Sequence, residues 1–314
     1  MRPALSLSIL DFCRVYPQTL DPVEAVWSTL DLAVEAERLG YKRYWLGEHH
    51  TRDVAHSSPE ILVSVIAGMT QHIRVGAAGM LIRYHSPLKL AKTFLLLNAL
   101  FPERIDIGIA RGFAEAPVPE LLMGESPVLD PYDQKVEDLV RFLRGTGSLP
   151  ANPIGVAAPE TWILGSRTGS VDGAARLGCA FSLSLFFGEL SDDKRSVIDT
   201  YRERFLPSAT LREPKYSIAV AGVCAPTSAE AEAIARQWAP GVSPGVVGDV
   251  AQCRDQLHET AMYYGTKEIV FLDVSPSHAE RMQSYRLLAE ACGLEQTTSR
   301  QIRRRRAPAK DPGV

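Results

Sequence analysis

No stretch of the 314-residue chain reaches the ~18 continuous apolar residues of a membrane-spanning helix, so no membrane partner is expected. Residues 1–10 carry a single positive charge and too short an apolar run for a secretory signal, which points to a cytoplasmic protein. Cysteine is scarce. Cys13, Cys179, Cys224, Cys253 and Cys292 are odd in number and form no CxxC pair, which argues against a disulfide framework or a zinc knot and suits reduced thiols. An excess of charge of one sign is missing too: 34 Lys and Arg face 37 Asp and Glu, so the net charge of −3 offers no basic footprint for nucleic acid. The exception is Arg303-Arg304-Arg305-Arg306, inside a polar end at 299–314 that lacks apolar periodicity and reads as a disordered tail. No GxGxxG follows the first strand-like segment, no GxxxxGK[ST] occurs anywhere, and neither HxH nor HExxH is found.

What is present is alternation. With 46% hydrophobic and 23% charged residues the chain can bury a full core, either as two domains or as one α/β barrel of roughly 250 residues. Strand signals fall at 4–10, 42–46, 73–79, 104–109, 161–164, 179–184, 215–222 and 267–274, each followed by helical periodicity. Asp21-Pro22 supplies an N-cap and a first-turn proline for the first helix, which Gly40 ends. Ser58-Pro59 opens a second helix to about Met69, Pro87 a third to Leu100, and 132–143 forms another, while Gly112 to about residue 130 reads as a polar, proline-rich connection. Strands alternating with helices indicate βαβ units and a parallel sheet, and eight is the closed-barrel number. The predicted fold is therefore α/β, a (β/α)8 TIM barrel in one domain over 1–298, with an open doubly wound sheet as the alternative.

In such a barrel the active site lies at the strand C-termini. There the run Tyr44-Trp45-Leu46-Gly47-Glu48-His49-His50 breaks from apolar strand into a carboxylate and two imidazoles. A cofactor- or substrate-facing site, a structural role and a metal site all fit these residues, but the metal reading has no carboxylate or imidazole cluster elsewhere to support it. Gly76-Ala77-Ala78-Gly79 leaves room either for a flat ring against the backbone or for tight barrel packing. Arg111, after the fourth strand, is a fixed cation suited to phosphate or carboxylate. Gly165-Ser166-Arg167-Thr168-Gly169-Ser170 lies between strand and helix, where free N–H groups, hydroxyls and an Arg make an anion site or an ordinary cap. A phosphorylated, planar cofactor accounts for all of these together.

The run from Tyr44 to His50, Ile73-Arg74-Val75-Gly76, His85-Ser86-Pro87-Leu88, the segment from Pro102 to Gly112, Trp162-Ile163-Leu164-Gly165-Ser166, Val246-Val247-Gly248-Asp249 and the helix from Ser284 to Glu290 together resemble the bacterial-luciferase-like flavin monooxygenases, over roughly 4–292. The resemblance implies a β/α barrel, usually a homodimer, that binds reduced FMN, or deazaflavin F420 in one branch, at the strand C-termini. With FMN it implies a two-component monooxygenase: a separate flavin reductase delivers FMNH2, and O2 gives a C4a-(hydro)peroxyflavin that oxygenates a small organic substrate. With F420 it implies a dehydrogenase or reductase. It places His49 as the acid/base residue with Glu48 beside it, Ala78-Gly79 where the family often has a non-proline cis peptide behind the flavin ring, and Arg111, Ser166, Arg167 and Ser170 on the phosphate. Luciferases proper carry a reactive cysteine where this chain has Ala110, so aldehyde-driven light emission is not implied. Phe12, Trp45, Leu46, Met80, Phe186 and Phe187 are candidate apolar walls, and the helices at 59–69 and 87–100 the expected dimer face.

Overall fold

A computed structural model describes residues 4–15, 21–123, 132–166, 168–187, 194–237 and 242–296. The basic end at 299–314 and Arg167 lie outside them. Eight parallel strands close on themselves: β1 (Ser6–Asp11), β2 (Arg43–Leu46), β3 (Arg74–Leu81), β4 (Ile105–Ala110), β5 (Glu160–Gly165), β6 (Ala180–Ser184), β7 (Tyr216–Cys224) and, after the short β8 (Val246–Gly248), β9 (Glu268–Asp273). Closure comes from β6 pairing β7 at Phe181 and Tyr216, β7 pairing β9, and β9 pairing β1. The three-residue β8 pairs β7 alone, outside the ring, and is an addition to the eight expected strands. The fold is thus a (β/α)8 TIM barrel rather than an open sheet.

The helices begin where local chemistry dictates. Asp21 accepts the Glu24 N–H at 2.8 Å to start α1 (Pro22–Arg38), and Gly40 beyond its end takes φ +86°, a conformation that costs glycine little. Proline also opens α2 (Pro59–Met69) and α3 (Pro87–Leu100). The connection after Gly112 is not wholly irregular: it holds a short helix, α4 (Val118–Met123), before α5 (Tyr132–Leu143). The circuit continues through α6 (Thr168–Arg176), α7 (Arg195–Arg204), α8 (Ser228–Ala235), α9 (Val250–Tyr264) and α10 (His278–Ala291). No helix among the described residues is long and apolar enough to cross a membrane.

Strand periodicity sorts the core into two layers, because successive side chains point to opposite faces. Leu7, Ile9, Tyr44, Leu46, Ile105, Ile107 and Ile109 pack between strands and helices, whereas Leu10, Trp45, Ala78, Trp162, Leu164, Ala219 and Leu272 fill the barrel itself. The strands' N-terminal ends close the barrel floor with charge. Arg43, fully buried, contacts Glu268 at 2.5 Å, Asp106 at 2.7 Å and Glu160 at 2.9 Å, and the Trp45 indole N–H donates to Asp106 at 2.8 Å. Burial favours loss of the Arg43 charge, but these carboxylates more than offset it and hold the guanidinium protonated. The strand C-termini lie at the opposite end of the barrel, beyond this floor and core.

Candidate active site

At that opposite end the strand C-termini surround a cavity of about 610 Å³. Glu48, His49, Ala78, Gly79, Arg111, Ser166 and Ser170 all line it, although 122 residues separate the first from the last. Phe12, Phe186 and Phe187 form apolar wall as expected, joined by Leu10, Leu81, Phe113 and Leu164. Trp45, Leu46 and Met80 do not. Strand alternation turns Leu46 outward toward the helices, the register shift between Ala77 and Met80 turns Met80 the same way, and Trp45 lies deeper in the barrel against Trp162, ring centroids 5.1 Å apart.

Two close approaches explain the small residues of β3. A Cβ on Gly76 would sit 2.5 Å from the Asp106 carbonyl oxygen, so that glycine serves strand packing. Gly79 faces the cavity, and a Cβ there would stand 2.7 Å from that of Ala110. The Ala78-Gly79 peptide bond is cis. Across the cavity, Ser166 precedes α6, while Gly169 and the buried Ser170 lie in its first turn, so the helix's free N–H groups and positive dipole end face the same space. A Cβ on Gly165 would meet Ser170 Oγ at 2.5 Å, and its absence lets the strand end come up against the helix start. Arg111 closes this side at the rim. Its guanidinium pairs with Asp133 at 2.5 Å and stacks over Tyr132 at 4.1 Å.

The Luciferase-like monooxygenase model matches residues 6–285. The chain belongs to the luciferase-like monooxygenase family. A relative, N-acetyl-S-alkylcysteine monooxygenase from Bacillus subtilis (strain 168), is 32% identical over 73% of this chain and 70% of its own. The crystal structure of apo-MsnO8 superposes with a TM-score of 0.84 at 32% identity, covering 94% of this chain and 99% of that one. At 14% identity, which speaks to the fold alone, the oxygenating constituent of 3,6-diketocamphane monooxygenase from Pseudomonas putida, in complex with FMN, gives a TM-score of 0.69, covering 92% of this chain and 98% of that one.

In this luciferase-like monooxygenase the EHH run splits into two environments. His49 is half-buried on the cavity wall with its ring edge-on to Phe12. Burial is the main cause that pushes its pKa down to about 4, Arg14 adds to the shift, and Asp53 and Glu48 oppose it. The imidazole is therefore neutral near pH 7, able to accept a proton or share one through a hydrogen bond. Glu48 is only 2% exposed and takes three partners: His50 Nε2 at 2.9 Å, His85 Nε2 at 2.8 Å and the Leu81 N–H at 2.8 Å. Burial raises its pKa, but the hydrogen bonds from His85, His50 and Leu81 prevail and hold the carboxyl below the usual range. Sequence reasoning treated His85 only as the start of α3, and its spacing of 37 residues from Glu48 carried no signal. Asp133 and Tyr132, the partners of Arg111, were missed as well, because they lie beyond the connection that follows β4. Among the described residues no group of three or more His, Cys, Asp or Glu side chains is placed to hold a metal ion.

Proposed function

We propose that this monooxygenase binds reduced FMN in the barrel mouth and uses O2 to oxygenate a small organic substrate. The observation that carries this is the meeting, in one cavity, of an anion cradle with a flat apolar wall: Arg111, Ser166, Ser170 and the α6 N-terminus on one side, Ala78 and Gly79 on the other. The residues fit the group, since Ala78, Gly79 and Ala110 present only small atoms on the wall where a ring would lie and the cradle supplies hydroxyls and N–H groups for a phosphate. When bound, reduced flavin supplies the electrons for O2 activation.

The protein's share is orientation, shielding and proton handling. Leu10, Phe12, Leu164, Phe186 and Phe187 keep the cavity predominantly apolar, which excludes water from the oxidising chemistry. His49, neutral and edge-packed on Phe12, is the group placed to take or return a proton at the reacting centre. The chain has no dinucleotide fingerprint, which supports a separate reductase as the source of reduced flavin. A homodimer through α2 and α3 is part of the same reading. Ile61, Met69, Leu96 and Leu100 leave an apolar strip on those helices, with Ile61 61% and Leu100 62% exposed.

The test is oxygen uptake and product mass with FMN, a generic flavin reductase and a panel of small organic substrates. Substrate-dependent product carrying one atom of labelled O2 supports the reading. Anaerobic oxidation of an alcohol with F420, and none with FMN, would replace it.

A further inference from the structure

The Glu48 carboxylate gathers three elements at one point. It leaves the end of β2, its Oε2 accepts the Leu81 N–H from the end of β3 at 2.8 Å, and His85 reaches it from just before α3, with Nε2 3.0 Å from Oε1 and 2.8 Å from Oε2. His50 adds its own Nε2 at 2.9 Å from Oε1, and its ring is steadied edge-on by Tyr84 at 5.8 Å. The Leu81 N–H can only donate, and because these contacts hold the Glu48 carboxyl below its ordinary pKa range it is ionised near pH 7 and can only accept, so both histidines present Nε2–H to it. An ionised carboxylate accepts all three at once, whereas a protonated one would give up a charge-assisted bond and need one histidine to change tautomer to receive its O–H. Glu48 is therefore poorly suited to carry a proton through a catalytic cycle, although it lines the cavity.

We propose that Glu48 is a positioning residue, which with His85 and His50 clasps the end of β3 and so sets the cavity wall of Ala78, Gly79 and Leu81 against which the cofactor packs. The proposal rests on the flavin reading above for the identity of that cofactor. Its physical basis is burial: a hydrogen-bonded charge that is 2% exposed holds its partners far more firmly than a surface pair, and loss of one partner leaves the others unsatisfied. Leu81 follows Gly79 by two residues on the same strand, so freedom at its N–H passes directly to the wall.

The experiment compares Glu48→Gln, His85→Phe and His85→Gln with the unmodified protein. Peptide-resolved hydrogen exchange of the flavin-free protein reads the segment that carries Leu81, FMN titration reads affinity, and thermal melting reports folding. Glu48→Gln and His85→Phe are expected to speed exchange in that segment and weaken FMN about tenfold, the effect of a lost charge-assisted hydrogen bond. His85→Gln, whose amide can still donate, stays close to the unmodified protein. The double variant Glu48→Gln/His85→Phe should be no worse than the weaker single one, because both break one clasp. If Glu48→Gln does not fold, the contrast between His85→Phe and His85→Gln decides alone. Unchanged exchange overturns the clasp, and faster exchange with unchanged FMN affinity overturns its positioning role. Failure of the unmodified protein to bind FMN sinks the flavin reading instead.

Discussion

Phe12 sets its ring edge-on to the His49 imidazole, centroids 4.3 Å apart at 64°, at the point where the loops after β1 and β2 meet over the cavity. The aromatic contact orients the one imidazole of the EHH run that lines the cavity. His49→Ala is expected to retain FMN binding and to lower product formation by roughly 10²–10⁴-fold, the usual worth of a positioned acid or base. Full turnover in that variant would remove His49 from proton transfer.

The same burial makes a stability signature. His49 has a folded-state pKa of about 4 against an ordinary 6.5, so between those values the unfolded chain binds the extra proton. Stability is intact above pH 6.5 and falls as the pH drops through 4, by roughly 3 kcal/mol when complete. Denaturant midpoints at pH 7.5 and pH 4.5 should therefore move closer together in His49→Gln. An unchanged gap would show that the imidazole is not desolvated in solution.

Asp273, at the C-terminal end of β9, gives the opposite sign. Burial pushes its carboxyl up to about 6, against opposing hydrogen bonds from Ser275 and Ser284, so its contribution favours the fold below about pH 4 and is lost as the pH rises through 6. Asp273→Asn removes a buried charge at neutral pH. It should raise the melting temperature at pH 8 and change it little or lower it at pH 4; equal effects at the two values would count against the assignment.

Arg111→Ala tests the anion cradle. The exposed pair with Asp133 contributes little stability, so the variant should fold normally. FMN affinity should drop about tenfold or more while riboflavin affinity stays nearly constant, because only FMN offers the phosphate. Parallel losses for both flavins would move Arg111 off the phosphate.

Ile61→Glu and Leu100→Glu place charges on the apolar strip of α2 and α3. Sedimentation of the purified protein should show a dimer that becomes monomeric in either variant, with melting little changed at these exposed positions. A monomeric starting protein would refute the proposed face.

The readings that succeeded rest on local chemistry. Asp21-Pro22 marks a helix start because capping needs only neighbouring atoms, and the apolar alternation in Ile105, Ile107 and Ile109 predicts a strand because one face must meet the helices. Three-residue β8 and six-residue α4 are too short for periodicity to register. The two explanations for Gly76-Ala77-Ala78-Gly79 are equal in the sequence, and the structure uses both: Gly76 packs on Asp106, while Gly79 packs against Ala110 and also lines the cavity.

By itself the amino-acid order determined the eight strand and helix units, their capping, and the chemical types waiting at the strand ends. Only closure of the barrel decided which of those groups meet, because Arg43 and Glu268 are 225 residues apart, Glu48 and His85 are 37 apart, and no local rule couples them. Tertiary structure likewise divided adjacent histidines, leaving His49 neutral on the cavity wall and setting His50 against Glu48, because charge state follows burial and partners rather than residue type.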